Sequence, residues 1–159
     1  MSTSAKHKRA AIIYFPGRID RKKLDAAVSL TLSSLSWEPS LWLPTNPDET
    51  GGQQALRAVA QKATHLLVAG GDGTVRSVLE ALAREGITGV TVGIIPIGTG
   101  NALAKNLKLE LANINVAVKR GLLGNRHEID LGLAKVIRPD GEREEVHFCV
   151  MGGMGLDAK

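Results

Sequence analysis

Short apolar runs alternate with helical patterns along most of the chain. "AAIIYF" at 10–15 is a continuous apolar run closed by Pro16 and Gly17, the pattern of a buried strand. From Asp20 onward Leu24, Ala27, Val28, Thr31, Leu32 and Leu35 recur at helical spacing, with Asp20 where an N-cap belongs. "SLWLPT" (40–45) predicts a second strand, ended by the turn-rich "PTNPDETGG", and "QQALRAVAQKA" (53–63) a second helix. "THLLVAG" (64–70) predicts the third strand, and the stretch from Val75 to Arg84 the helix after it. "VTVGIIPIG" (90–98) predicts a fourth strand, followed by a helix near "GNALAKNL" and another over 111–123. Continuous apolar strands separated by helices predict an α/β fold of three layers, a parallel sheet covered on both faces.

After Asn125 the pattern changes. "RHEIDLGLAKVIRPDGEREEVHFCVMGGMGL" reads as strands with a hairpin turn at Pro139-Asp140-Gly141. This divides the chain into an α/β domain over 1–128 and the first strands of a second, β-rich domain over 129–159. The closing segment "HFCVMGGMGLDAK" stops without a following partner, so a fragment of something longer is expected. Strands left with open edges would invite self-association.

Composition narrows the function classes. The 159 residues, 43% hydrophobic and 23% charged, suit one ordinary domain with a real core, and there is no internal repeat. Aromatics at 3% argue against recognition of single-stranded nucleic acid by stacking. The net charge of +4 is uneven: Lys6, Lys8, Arg9, Arg18, Arg21, Lys22 and Lys23 fall in the first 23 residues. Such an end suits phosphates or an anionic membrane, although a solvated terminus and helix face is the plainer reading. The lone Cys149 excludes a disulfide within the chain and fits a reducing compartment. No apolar stretch approaches the ~18 residues of a membrane span, and the N-terminus lacks the apolar core of a secretory signal. The expected location is the cytoplasm, with peripheral contact at the inner face of the membrane.

Two strand-to-helix turns are rich in glycine: Gly70-Gly71-Asp72-Gly73-Thr74 and Pro96-Ile97-Gly98-Thr99-Gly100-Asn101. In a parallel sheet such turns lie at the carboxyl ends of strands, where ligands bind. Glycines remove the Cβ atoms that keep a ligand from backbone N–H groups, and each loop opens a helix whose amides attract anions. Thr74, Thr99 and Asn101 add neutral donors. This is a phosphate cradle, in which Asp72 makes sense if a divalent cation or a proton transfer accompanies the phosphate. Asp72 as a plain helix cap is the alternative. No G-x-x-x-x-G-K-[ST] is present, and "GGDGTV" lacks the G-x-G-x-x-G spacing of a dinucleotide site.

"GGDGTV" (70–75), "GIIPIGTGNALAKNL" (93–107), "IDLG" (129–132) and "FCVMGGMGLDA" (148–158), in this order and spacing, resemble the diacylglycerol kinase catalytic-domain family of lipid kinases. NAD kinases and phosphofructokinases have similar "GGDGT" loops, and it is the P-x-G-T-G-N block that points to the lipid-kinase branch. The resemblance implies two domains with the active site in the cleft between them, and transfer of phosphate from ATP, with Mg2+, to a lipid hydroxyl at a membrane surface. It implies a nucleotide-phosphate loop at Gly70, Gly71, Asp72, Gly73 and Thr74, and a second loop at Gly98, Thr99, Gly100 and Asn101. It also implies acidic positions of the magnesium and water network at Asp72 and Asp130. Asp72 is a candidate catalytic base by likeness to the sphingosine kinase branch, whereas in the bacterial branch the base lies in the second domain, beyond Lys159. Two positions depart from the family pattern: Phe15-Pro16 stands where Asn-Pro is usual, and Asn101-Ala102 where Asn-Asp is common. The isolated fragment is expected to lack full activity. A kinase of the NAD kinase type acting on a soluble acceptor, and a degenerate non-catalytic module, are the other readings.

The remaining chemistry-bearing residues read as structural. His7, His65, His127 and His147 show no metal-ligand spacing, and Cys149 sits in an apolar run. Trp37 and Trp42 read as packing residues. Arg76 and Lys105 lie close enough to the glycine loops to be phosphate candidates, against a plain solvated reading.

Overall fold

In the computed structural model, which describes residues 8–109 and 112–150, the first apolar run forms strand β1, Arg9–Tyr14, buried over almost its whole length. It is followed by helix α1 (Arg21–Leu32), β2 (Glu38–Pro44), α2 (Gly52–Ala60), β3 (His65–Gly70) and α3 (Asp72–Arg84). Then come β4 (Thr91–Pro96), the short α4 (Ala102–Asn106), α5 (Ile114–Leu123) and a hairpin of β5 (Gly132–Ile137) and β6 (Arg143–Phe148). The chain divides into two compact units between Arg126 and His127.

The first unit is a parallel four-stranded sheet in the order β2-β1-β3-β4. Helices α1 and α5 pack together on one face, and α2 and α3 on the other. This is the expected three-layer α/β arrangement. Strands buried on both faces need apolar side chains at successive positions, which is why β1 and β3 read as unbroken runs. On the α1 and α5 side Ile12, Tyr14, Leu67, Ala69 and Ile95 meet Leu24, Ala27, Val28, Val118 and Leu122. Trp37 and Trp42 pack at the margin of this core, Trp42 edge-on to Tyr14 with ring centroids 5.9 Å apart.

Side-chain N-caps set the start of two helices. Asp20 accepts from the Lys22 N–H at 2.8 Å, as its position foretells. Asn113 accepts from the N–H groups of Asn115 and Val116, so α5 starts at Ile114 rather than at 111. The helix expected near "GNALAKNL" is a single turn. The second unit is the antiparallel β5–β6 hairpin, with Gly132 opposite Phe148. Its turn closes where expected: Arg138 N–H donates to Glu142 O at 2.8 Å, and Gly141 has a φ of 87° that suits glycine. No helix among the described residues is long and apolar enough to cross a membrane.

His65 opens β3, 3% exposed, with its ring centroid 4.7 Å from that of Trp37. Thr64 Oγ1 lies 3.0 Å from Nδ1, and Arg126 Nη2 lies 3.5 Å from Nε2. His65 is therefore a satisfied core histidine; His127 is exposed, and His7 lies outside the described residues. Burial, then the charges of Arg126 and Lys8, lower its pKa from 6.5 to about 4. The folded state holds the ring neutral in that interval while the unfolded chain takes up a proton. Stability is therefore full above about pH 6.5 and falls as pH drops toward about 4. Between about pH 7 and pH 4.5 this amounts to roughly 2–3 kcal/mol. Urea unfolding at the two pH values should show His65→Gln losing less stability than the wild type by about that amount. Equal losses would overturn the assignment.

Candidate functional site

The carboxyl ends of β1, β3 and β4 lie side by side. Tyr14 pairs with Ala69 and Gly70 with Pro96, while Phe15 N–H donates to Ala69 O and Ile97 N–H to Gly70 O, each at 3.2 Å. Successive strands run outward in opposite directions from β1 and β3, so the loops after these strands flank the point where ligands enter open α/β sheets.

The first glycine loop passes straight into α3. Gly71 is its N-cap, with φ −95° and ψ −172° and no side-chain cap, so the helix begins at Asp72 rather than at Val75. Asp72 does not cap this helix. Its Oδ1 accepts from the backbone N–H of Ala102 at 2.7 Å, so the carboxylate of one loop caps the helix that follows the other. The second loop is closed on itself: Asn101 Oδ1 accepts from Gly98 N–H at 3.0 Å, and Asn101 Nδ2 donates to Gly98 O at 2.7 Å. Asn101 is buried and left-handed at φ 50°, a conformation its short amide tolerates and here exploits.

Most of the glycines serve this closure. A Cβ on Gly98 would lie 2.5 Å from Gly71 Cα, and one on Gly100 would lie 2.7 Å from Asp72 Oδ2. A Cβ on Gly70 would lie 2.6 Å from the Thr74 Cβ. Gly73 differs, since a Cβ there would meet nothing within 4 Å. Gly73 is thus the position in the first loop where a missing side chain leaves open space for a ligand. Thr99 and Gly100, on the second loop, are exposed.

Arg18, in the loop after β1, extends its Nη1 to within 3.4 Å of Thr99 Oγ1. It is exposed, and among the described residues no carboxylate lies within 4.0 Å of it. Sequence reasoning grouped Arg18 with a basic terminus. Only the order of the strands shows that its loop faces the second glycine loop. The Phe15 ring, 36% exposed, folds over Gly17, where a Cβ would lie 3.0 Å from the ring. Arg76 is paired with Glu80 at 3.6 Å along α3, and Lys105 is exposed on α4.

Among the described residues no group of three His, Cys, Asp or Glu side chains could hold a metal ion. Magnesium is usually held by one or two carboxylates together with the substrate's phosphates, and Asp72 is the carboxylate that the first glycine loop carries. Asp72 Oδ1 is engaged by Ala102, and no hydrogen bond from the described residues reaches Oδ2. Asp130 belongs to the second unit, exposed in the segment before β5.

The chain belongs to the diacylglycerol kinase catalytic domain family, whose model matches residues 17–134. It is 33% identical over 127 residues to the diacylglycerol kinase of Bacillus subtilis (strain 168), covering 79% of this chain and 41% of that protein. A diacylglycerol kinase of Mycobacterium tuberculosis (strain CDC 1551 / Oshkosh) is 40% identical over 101 residues, 64% of this chain and 30% of that protein. The fold matches the crystal structure of a diacylglycerol kinase from Bacillus anthracis with a TM-score of 0.57 and 27% identity, covering 71% of this chain and 40% of that one. The chain thus spans about two fifths, or less, of the length of these relatives.

The clasp has an energetic signature that needs no ligand. Asp72→Ala removes a cap and should cost about 1 kcal/mol of stability. Gly98→Ala forces a methyl into the Gly71 backbone and should cost about 1–3 kcal/mol. Thermal unfolding of the ligand-free variants measures both, and unchanged midpoints would show that the loops do not hold one another.

Proposed function

We propose that the first unit is the ATP-binding domain of a lipid kinase that passes the terminal phosphate of ATP to a lipid hydroxyl of the diacylglycerol type. The observation behind this reading is the pair of interlocked glycine loops at the carboxyl ends of β3 and β4, within the segment matched by the family. The relatives named for diacylglycerol kinase activity support the lipid acceptor. A second domain, begun by the β5–β6 hairpin, would complete the cleft.

In this reading the α3 N-terminus, Gly71 to Thr74, takes the phosphate anion through backbone N–H groups and its dipole. Gly73 leaves the open approach, and Thr74 and Thr99 supply hydroxyl donors. Gly98 and Asn101 hold the second loop in shape. Arg18 brings a positive charge to the outer side of the phosphates, compensating for Phe15 where the family commonly has an asparagine amide. Asp72 holds the two loops together through Oδ1 and offers Oδ2 to a magnesium ion or its waters, with Asp130 as the second acidic position. Magnesium bound with the triphosphate neutralises charge as the phosphoryl group leaves. Asp72 is thus a positioning residue first, and the base for the acceptor hydroxyl is expected from a second domain.

Titration calorimetry of the chain with ATP, with and without magnesium, tests the reading. Magnesium-dependent binding is expected. Gly73→Val should leave the ligand-free stability within about 0.5 kcal/mol, since a Cβ there meets nothing within 4 Å, yet weaken ATP binding at least about tenfold. Arg18→Ala should weaken binding about five- to tenfold, and Arg18→Lys by less. Absence of nucleotide binding, with magnesium and without it, would sink the reading in favour of a module without catalysis.

A further inference from the structure

Helix α5 turns Ala117, Val118 and Leu122 into the core. Its outer face carries Val116, Lys119, Arg120 and Leu123, at spacings i, i+3, i+4 and i+7, which is one stripe of a helix. Val116 is 45% exposed and Leu123 46%, so two bare apolar side chains bracket two cations. Arg120 Nη1 donates to Lys108 O at 3.2 Å, which fastens the turn after α4 beside this stripe. That turn adds exposed Leu107 and Lys108, and α4 adds Lys105.

Among the described residues none of Lys105, Lys108, Lys119 and Arg120 has a carboxylate within 4.0 Å. On the opposite face of the sheet three arginines are answered: Arg76 and Arg84 both pair with Glu80, and Arg57 pairs with Glu49. Four cations with no carboxylate beside them among the described residues suit an anionic partner. Three apolar side chains among them ask for that partner to have an apolar layer beneath its charge.

We propose that the outer face of α5, with the turn after α4, is a docking surface for an anionic lipid bilayer. The cations sit at phosphate headgroups while Leu107, Val116 and Leu123 enter the boundary between headgroups and acyl chains, their neighbours' methylene stems lying along the same layer. A nucleic acid would satisfy the cations but leave the three apolar side chains in water, and the patch has no aromatic side chain on which bases could stack. The surface contains none of the cradle residues, so its test is independent of nucleotide binding. It is close to them in sequence even so, since Lys105 and Lys108 follow Asn101 by four and seven residues.

Sedimentation of the 159-residue chain with vesicles of phosphatidylglycerol and phosphatidylcholine, against vesicles of phosphatidylcholine alone, tests the proposal. Binding should require the anionic lipid and weaken as salt is raised. Each basic residue at such a surface is worth about fivefold, so Lys119→Gln/Arg120→Gln should lose more than about tenfold. Lys62→Gln/Arg84→Gln, an equal charge change on the opposite face, should stay within about twofold. Leu123→Gln should lose a few-fold without altering the salt dependence, and melting curves of these surface variants should match the wild type. The proposal is overturned if the wild type ignores anionic vesicles or if the two double variants bind alike. It is overturned equally if the α5 variant loses binding to a short RNA duplex while keeping its binding to vesicles.

Discussion

The hydrogen-bonded register of β3 against β4 is the constraint on which the site depends. Gly70 stands opposite Pro96, and from that pairing the chain has only to step forward for Gly71 to reach Gly98 and Asp72 to reach Ala102. A slip of one residue would bring the side chain of Ile97 or Thr99 against the Gly71 backbone and strand the carboxylate. It would also turn every side chain of a buried strand to the opposite face, which the core on either side does not permit. The hydrophobic layers thus do more than stabilise the sheet. They set the spacing of two loops that would otherwise have no fixed relation.

Family membership and the two departures from the family pattern meet in the same few residues. Ala102 contributes its backbone N–H to the Asp72 carboxylate, so the position remains part of the loop clasp without an acidic side chain of its own. Phe15 continues β1 by one backbone hydrogen bond and then turns its ring over Gly17. The next residue along is the arginine that reaches Thr99. The change in side-chain chemistry at 15 is therefore accompanied by a cation supplied from the same loop.

Much of this was legible in the sequence, and what was not has a physical reason. Strands such as 10–15 and 64–70 announce themselves because burial on both faces demands unbroken apolar runs, and Asp20 announces a helix start because a carboxylate cap is a local device. The glycine loops stood out as strand-to-helix turns for the same local reason. Their internal logic was not. Asp72 caps α4, thirty positions away, and a spacing argument sees only the helix that Asp72 itself begins. Arg18 belongs to the site through the order of strands, β1 beside β3, which no local pattern encodes. The outer stripe of α5 was hidden for a different reason: mixed apolar and basic residues look like ordinary helix until burial shows which of them face out.

The clasp between Asp72 and Ala102 has a consequence for how the site answers a ligand. Because each loop is braced by the other, most of the ordering that a phosphate would impose has been completed when the sheet forms. Binding then draws little on chain entropy, and the loops act as a socket of fixed shape rather than as jaws that close.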